Sequence, residues 1–295
     1  MHGCSLFSNI KAEKMEKQKT LRSGAAYTGI TLHTGVRASL KINPGEPDTG
    51  IWFRRIDLPG APSVQALAGN VVDVRRGTKI ASGAAEVVTI EHVMACLHAC
   101  GIDNAVVDMD GPEPPILDGS AKPYLDGILA AGIEEQDAEA QIFEPETPIC
   151  VNGGHTQMAL FPNSDGVLRI FCTASFKGCP FDPQFIEMEI TPDNFRDNIA
   201  AARTFVEFGD LRQLLAMGLV KGGSLDNAAI LHQGAIICKD RLLWQDEIVR
   251  HKVLDMVGDL YLCGRRVHAN VVAVKPGHPR NAELALAMQK AIANV

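Results

Sequence analysis

The chain has little of what marks a membrane, exported or nucleic-acid-binding protein. No apolar run in its 295 residues approaches the ~18 needed to span a bilayer. Met1 to Ser23 carries Lys11, Lys14, Lys17, Lys19 and Arg22 but no apolar core and no small-residue cleavage site, so no signal peptide is expected. Basic charge is in deficit: 28 Lys and Arg against 35 Asp and Glu leave a net charge of -7. That argues against nucleic acid as a partner, while leaving room for a local basic pocket. The eight cysteines are scattered with no CxxC pair; the closest spacings are Cys96/Cys100 and Cys172/Cys179. Without an export signal, free thiols in a reducing cytoplasm are expected. Common hydrolase and nucleotide signatures are missing too. Gly222-Gly223-Ser224-Leu225-Asp226 is neither a nucleophile elbow nor a Walker loop, and no Rossmann fingerprint is present. The glycine pair suits a tight turn.

What is there reads as a duplicated globular chain. The hydrophobic fraction is 46%, and the length suggests about two domains. Glu91-His92-Val93-Met94 leads through a helical segment to Cys100-Gly101, then a strand around Asn104 to Val107, ending at Gly111. Arg250-His251-Lys252-Val253 leads through a helix about one turn longer to Cys263-Gly264, then a strand around Asn270 to Val272, ending at Gly277. In both, Gly stands where a helix stops, as a left-handed cap prefers. Upstream, Val36 to Asn43 turns at Pro44-Gly45 and resumes at Ile51 to Phe53, and Met158 to Phe161 turns at Asn163 to Gly166 and resumes at Val167 to Phe171. Both read as hairpins. The expected fold is α+β: two similar layered halves of sheet and helix, with any site at their interface. The division runs as a mobile extension over 1–22, a first domain over 23–140 and a second over 141–295. His92 and His251 then occupy equivalent helix starts.

Candidate chemistry lies on these two helices. In the helix from about Glu247 to Leu262, Val253, Met256, Val257 and Leu260 form the apolar face. His251, Asp255 and Asp259 form a second stripe at i, i+4 and i+8. Such a stripe is most often a solvated face, but an imidazole and a carboxylate one turn apart can also share a divalent metal. His92 is the candidate third ligand, in a helix that begins at Glu91 after Thr89, a reasonable N-cap. An isolated Glu-His pair is usually structural. Here one residue could bind metal while the other faces a water whose acidity the metal raises. Asp259 could orient an imidazole. Its candidate partner is His278, in the loop after strand Ala269 to Val274, as a general acid or oxyanion-stabilising cation. Cys96 and Cys100, four and eight residues after His92, could join it in a His/Cys site or be buried thiols on the core side.

At this point the sequence resembles the UDP-3-O-acyl-N-acetylglucosamine deacetylases, zinc enzymes of lipid A synthesis. The resemblance rests on ordered motifs after about Lys19: Leu32-His33-Thr34-Gly35, Glu91-His92, Gly101-Ile102-Asp103-Asn104, Pro115 to Ala121, Ala202-Arg203-Thr204-Phe205, Gly222-Gly223-Ser224, Arg250-His251-Lys252 with Asp255, Gly258-Asp259-Leu260, and Lys275 with Gly277-His278. It implies His92, His251 and Asp255 as ligands of one Zn²⁺, with Fe²⁺ as the alternative ion. It implies Glu91 as the base toward the attacking water. It further implies that Thr204 and His278 stabilise the oxyanion and that His278, held by Asp259, is the acid for the leaving amine. Lys252 and Lys275 are expected to meet the diphosphate of an acylated UDP-sugar. The segment 205–230 resembles the family's insert for the acyl chain, with Phe205, Phe208, Leu211, Leu215, Val220 and Ile230 as walls and Phe205 against the sugar face. A cytoplasmic monomer with no second enzyme domain is expected. The threonine-rich turn familiar in this family reads Arg76-Gly77-Thr78-Lys79-Ile80 here, so its contribution near the metal is in question. Other deacetylases or peptidases with the same ligand set, and a nucleotide-sugar binding protein with a structural metal, are the competing readings.

Overall fold

The computed structural model describes residues 16–176 and 179–294. Two five-stranded sheets dominate it, and they share one topology. The first runs in the order Ala25–Ile30, Arg37–Pro44, Ala105–Met109, Ile51–Arg55, Ser63–Gln65. The second runs Ile149–Gly153, Thr156–Phe161, Ala269–Val274, Leu168–Ala174, Gln184–Ile190. In each, the strand that comes last within that sheet lies in its centre, antiparallel to the sheet's second strand and parallel to its third. The duplication is therefore a property of the fold.

The expected hairpins are not formed. Arg37–Pro44 and Ile51–Arg55 alternate as strands, but Ala105–Met109 lies between them. Ala269–Val274 likewise separates Thr156–Phe161 from Leu168–Ala174. Alternation specifies which face of a strand is buried, not which strand it pairs with. The parallel pair needs a long crossover, and in each half that crossover carries a helix. These are α1 (Glu91–Ala99) and, after α2 (Lys122–Ala131), α3 (Pro192–Asn198) and α4 (Phe208–Ala216), helix α5 (Glu247–Leu260). Helix α6 (His278–Ala293) closes the chain's described part and packs on α5.

The core is continuous across both halves. Ile42, Val107 and Phe53 form an inner row of the first sheet, and Leu160, Val271 and Ile170 the matching row of the second; all six are fully buried. The helices α1 and α5 pack on each other at the centre of this core. Every residue of α1 is buried, its polar side chains Glu91, His92 and His98 included. Gly258 permits the close crossing: a Cβ there would stand 2.1 Å from the Glu91 carbonyl oxygen.

Each half also carries a three-stranded sheet between its last edge strand and its central helix. In the first half this is Val71–Asp73, Lys79–Ser82 and Ala85–Val87; in the second it is Phe205–Glu207, Ala229–His232 and Ala235–Ile237, with α4 inserted. At the N-terminus the sequence reading of a mobile stretch through 22 is corrected for its last part. Lys17–Leu21 is a strand antiparallel to Ile133–Glu139, tied down by Lys19 N–H donating to Asp103. Residues 1–15 of that stretch lie outside the described residues. Among the described residues, no helix is long and apolar enough to cross a membrane.

Candidate metal and catalytic site

The crossing of α1 and α5 brings the two half-sites together. His92 Nε2 lies 4.0 Å from Asp255 Oδ1, and His251 Nε2 lies 3.4 Å from the same atom. Candidate ligand atoms of these three residues all fall within 4.8 Å of one another. The stripe His251, Asp255, Asp259 is buried, not solvated. His251 Nδ1 donates to the Ala202 carbonyl at 3.0 Å, which leaves Nε2 free as a donor atom for metal. Two imidazole nitrogens and one carboxylate oxygen fit a Zn²⁺ site with an open position.

The electrostatics support the same arrangement. Burial pushes the His92 imidazole down to about 3, with His251 adding to the effect, and burial also lowers His251. Both rings are neutral at physiological pH, as metal ligands must be. Burial opposes ionisation of Asp255, yet Lys252 and the surrounding histidines hold its carboxyl well below the usual range. The Lys252 ammonium donates to Asp255 Oδ2 at 2.7 Å and lies 5.2 Å from the centre of the Phe205 ring.

Glu91 and His278 face each other beside this cluster, His278 Nε2 to Glu91 Oε1 being 3.8 Å. Burial raises Glu91 to about 7, assisted by Asp259 and Asp255 and opposed by His278. For His278, burial disfavours the cation, but Asp259, Glu91 and Asp255 outweigh it and raise the ring to about 9. Its Nδ1–H donates to Asp259 Oδ2 at 2.8 Å. The expected loop position is corrected: His278 is the first residue of α6, and Pro279 suits the first turn of that helix. His92 and His251 are not at equivalent starts either. His92 is the second residue of α1, whereas a full turn, Glu247 to Arg250, precedes His251 in α5. Thr89 does not cap α1; it takes φ +60°, and its hydroxyl donates to Glu113 instead.

A cavity of about 480 Å³ opens over these groups, with Thr204, Phe205, Lys252 and His278 in its wall. Thr204 is fixed by its backbone, N–H to Gly119 O at 2.8 Å and carbonyl to Ala229 N–H at 2.9 Å. A second, largely apolar cavity of about 260 Å³ shares Leu32, Thr204, Phe205 and Val206 with the first. Leu211, Leu215, Val220 and Ile230 line it. Two expected contacts fall outside both cavities. Phe208 is 50% exposed and packs on the His232 ring, because α4 turns that face outward. Lys275 is exposed where the chain leaves strand Ala269–Val274, at φ +53°, and lines neither cavity. Cys96 is buried against the Ala121 carbonyl, and neither it nor Cys100 belongs to the ligand cluster.

Some site residues escaped the sequence reading. Thr78 N–H donates to Glu91 Oε2 at 3.0 Å, and its hydroxyl donates to Asp259 Oδ1 at 2.5 Å. Asn281 Nδ2 donates to Asp259 Oδ2 at 2.8 Å. Arg76 pairs with Asp210 of α4 at the rim of the larger cavity. The altered turn 76–80 was a pointer to Thr78 and Arg76; Asn281, three residues after His278, had no signal beyond that spacing.

Known proteins are similar to this sequence over most of its length. The sequence model of the family described as UDP-3-O-acyl N-acetylglycosamine deacetylase matches residues 18–290. Among similar proteins, the UDP-3-O-acyl-N-acetylglucosamine deacetylase of Geobacter sp. (strain M21) is 41% identical over 273 residues, 92% of this chain and 89% of the relative. That of Myxococcus xanthus (strain DK1622) is 40% identical over 90% of this chain and 84% of its own length. That of Bdellovibrio bacteriovorus is 39% identical over 88% and 86%. With a match of this extent, the chain belongs to the UDP-3-O-acyl N-acetylglycosamine deacetylase family.

Proposed function

We propose that this chain hydrolyses the acetamide of UDP-3-O-acyl-N-acetylglucosamine, releasing acetate and the free amine, as a cytoplasmic step of lipid A synthesis. The convergence of Glu91 and His278 beside the His92, His251 and Asp255 cluster carries the proposal. His92, His251 and Asp255 would hold Zn²⁺, or Fe²⁺ on the same donors, which supplies Lewis acidity toward the carbonyl and the water.

The chain's own groups do the proton work. An amide is a poor electrophile with a poor leaving group, so both a base and an acid are needed. Glu91, raised to about 7, accepts the proton of the attacking water as the oxygen–carbon bond forms. His278, raised to about 9, is protonated at neutral pH and donates to the amine nitrogen as the carbon–nitrogen bond breaks. Asp259 accepts from Nδ1–H and so aims Nε2 at the cavity. The Thr204 hydroxyl and the His278 cation would donate to the developing oxyanion. Lys252, between the Phe205 ring and Asp255, has the charge for a phosphate, and Lys275 would meet only an outlying part of the nucleotide. Phe205, in the wall of both cavities, would pack against the sugar face, and the apolar cavity of Leu211, Val220 and Ile230 would take the acyl chain.

The test is release of free amine from the UDP-linked substrate, with metal removed by chelation and then restored. Metal-free protein should be inactive and should recover with Zn²⁺. Glu91→Ala and His251→Ala should each lose about 10²–10⁴-fold in kcat. Undiminished activity in the metal-free protein, or in both variants, would overturn the proposal.

A further inference from the structure

We infer that Thr78 is a positioning residue that ties the base of one half to the acid pair of the other; the inference rests on the reading of Glu91 and His278 given above. Thr78 has no exposed surface and stands between the two arms of the site. Its backbone N–H donates to Glu91 Oε2 at 3.0 Å, and its hydroxyl donates to Asp259 Oδ1 at 2.5 Å. The hydroxyl oxygen also lies 3.4 Å from His278 Nδ1, but that N–H is already given to Asp259 Oδ2 at 2.8 Å. Asp259 is therefore held by three donors. Oδ2 accepts from His278 and Asn281, and Oδ1 accepts from Thr78.

Among the described residues, the Thr78 hydroxyl is the one donor to Asp259 Oδ1. Asn281 Nδ2 reaches Oδ2 and not Oδ1, and its own Oδ1 is buried without a partner and can only accept. With the hydroxyl gone, a buried carboxylate oxygen would be unsatisfied, and the carboxylate would turn away from the geometry that aims His278.

The surrounding turn is built to hold Thr78 in place. Gly77 passes so close to the base that a Cβ would lie 3.2 Å from Glu91 Oε1 and 3.2 Å from Thr89 Oγ1. The His33 ring holds the Arg76 carbonyl at 3.0 Å, and the Arg76 side chain pairs with Asp210 across the cavity rim. The turn is thus anchored to the first half through His33 and to the second through Asp210. Thr78 is where that turn touches the chemistry.

The backbone N–H survives any substitution other than proline, so side-chain variants isolate the hydroxyl. Thr78→Val, which keeps the shape, should lower kcat by about 10–100-fold with KM nearly unchanged, the range for lost outer partners of a site. Thr78→Ser, which keeps the hydroxyl, should recover most of the rate. In combination with Asp259→Asn, Thr78→Val should cost almost nothing further, because both act through one contact. Metal content should stay at the wild-type level throughout. An unchanged kcat in Thr78→Val, a serine variant as slow as the valine one, independent multiplication of the two losses, or loss of metal would each overturn the inference. Thr78→Ala enters the same comparison should the valine variant fail to fold. A wild-type protein without deacetylase activity would sink the functional reading instead, which keeps the two failures apart.

Discussion

Across the outer face of the first sheet run Ala26, Lys41, Asp108, Arg54 and Ser63; across that of the second, in the same strand order, run Cys150, Ala159, Val272, Phe171 and Glu187. The first row is charged and internally paired, Arg54 to Asp108 at 2.6 Å. The second is largely apolar, and next to it Phe185 is 61% exposed. Their inner rows are alike and fully buried. A duplicated backbone thus preserves what its core requires and leaves the other face free to diverge. The site follows the same rule. Both halves send one helix into the centre, but α1 offers a base and a single imidazole, while α5 offers an imidazole and two carboxylates. Neither half alone holds the three candidate ligands, so the proposed chemistry would arise only where the copies meet. The small sheets diverge most: one presents the turn around Thr78, the other α4 and the apolar cavity.

The meeting point can be broken with one methyl group. Gly258→Ala would set a Cβ 2.1 Å from the Glu91 carbonyl oxygen and 3.1 Å from Ala95 N, both backbone atoms. Such overpacking should cost about 1–3 kcal/mol or more, read as a fall in the urea midpoint, and should also displace Glu91 and lower kcat. Gly209→Ala, in α4 with nothing within 4 Å, is the control and should gain about 0.5–1 kcal/mol. Equal effects at the two glycines would show that the α1–α5 crossing is not tight. The apolar cavity tests divergence of the small sheets. Leu211→Trp should reduce kcat/KM for a long-acyl substrate about tenfold, the scale of a few lost methylene contacts, and spare a short-acyl analogue. The same loss for both would mean that the second half's insert does not receive the chain.

Much of this was legible in the sequence because duplication and helical spacing are local signals. His251 and Asp255, four apart on a helix, share a face whatever else the fold does. Strand Ala269–Val274 and the glycine stops at Gly101 and Gly264 follow from alternation and from left-handed caps, φ +64° and +87°. Strand pairing was not legible, since insertion of Ala105–Met109 between two alternating strands depends on contacts far apart in the chain. Nor was the outward turn of Phe208, because an apolar residue at a helix start looks the same whether it lines a cavity or packs on His232. The turn at Thr78 was visible as an oddity, but its two bonds reach Glu91 and Asp259, thirteen and 181 residues away.

Titration should separate the halves within one assay. Glu91 belongs to the first, at about 7; His278 belongs to the second, at about 9. Below about pH 7 the base is increasingly protonated, and above about pH 9 the acid is lost. The rate should therefore fall on both sides, about tenfold per pH unit beyond each limb. His278→Gln should remove the alkaline limb and keep an acid limb, moved to higher pH because the His278 cation no longer lowers Glu91. A profile whose two limbs both vanish in that variant would assign them to a single group and undo the division.

The smallest effect belongs to the outer faces. Phe185 on the second sheet sits in register with Thr173 and beyond it Val274, yet its ring is mostly in water. Phe185→Lys should shift the unfolding free energy by no more than about 0.5 kcal/mol, as for other surface changes away from packed features. Val271→Ala, fully buried in the inner row of the same sheet, should cost at least about 2 kcal/mol by the lost transfer energy and the cavity left behind. Denaturant melts of the two variants decide the matter: the apolar outer row is a tolerated divergence between the copies only while the first loss stays far below the second. A comparable loss at Phe185 would mean that the second sheet depends on both of its faces, and that the two copies are stabilised in different ways.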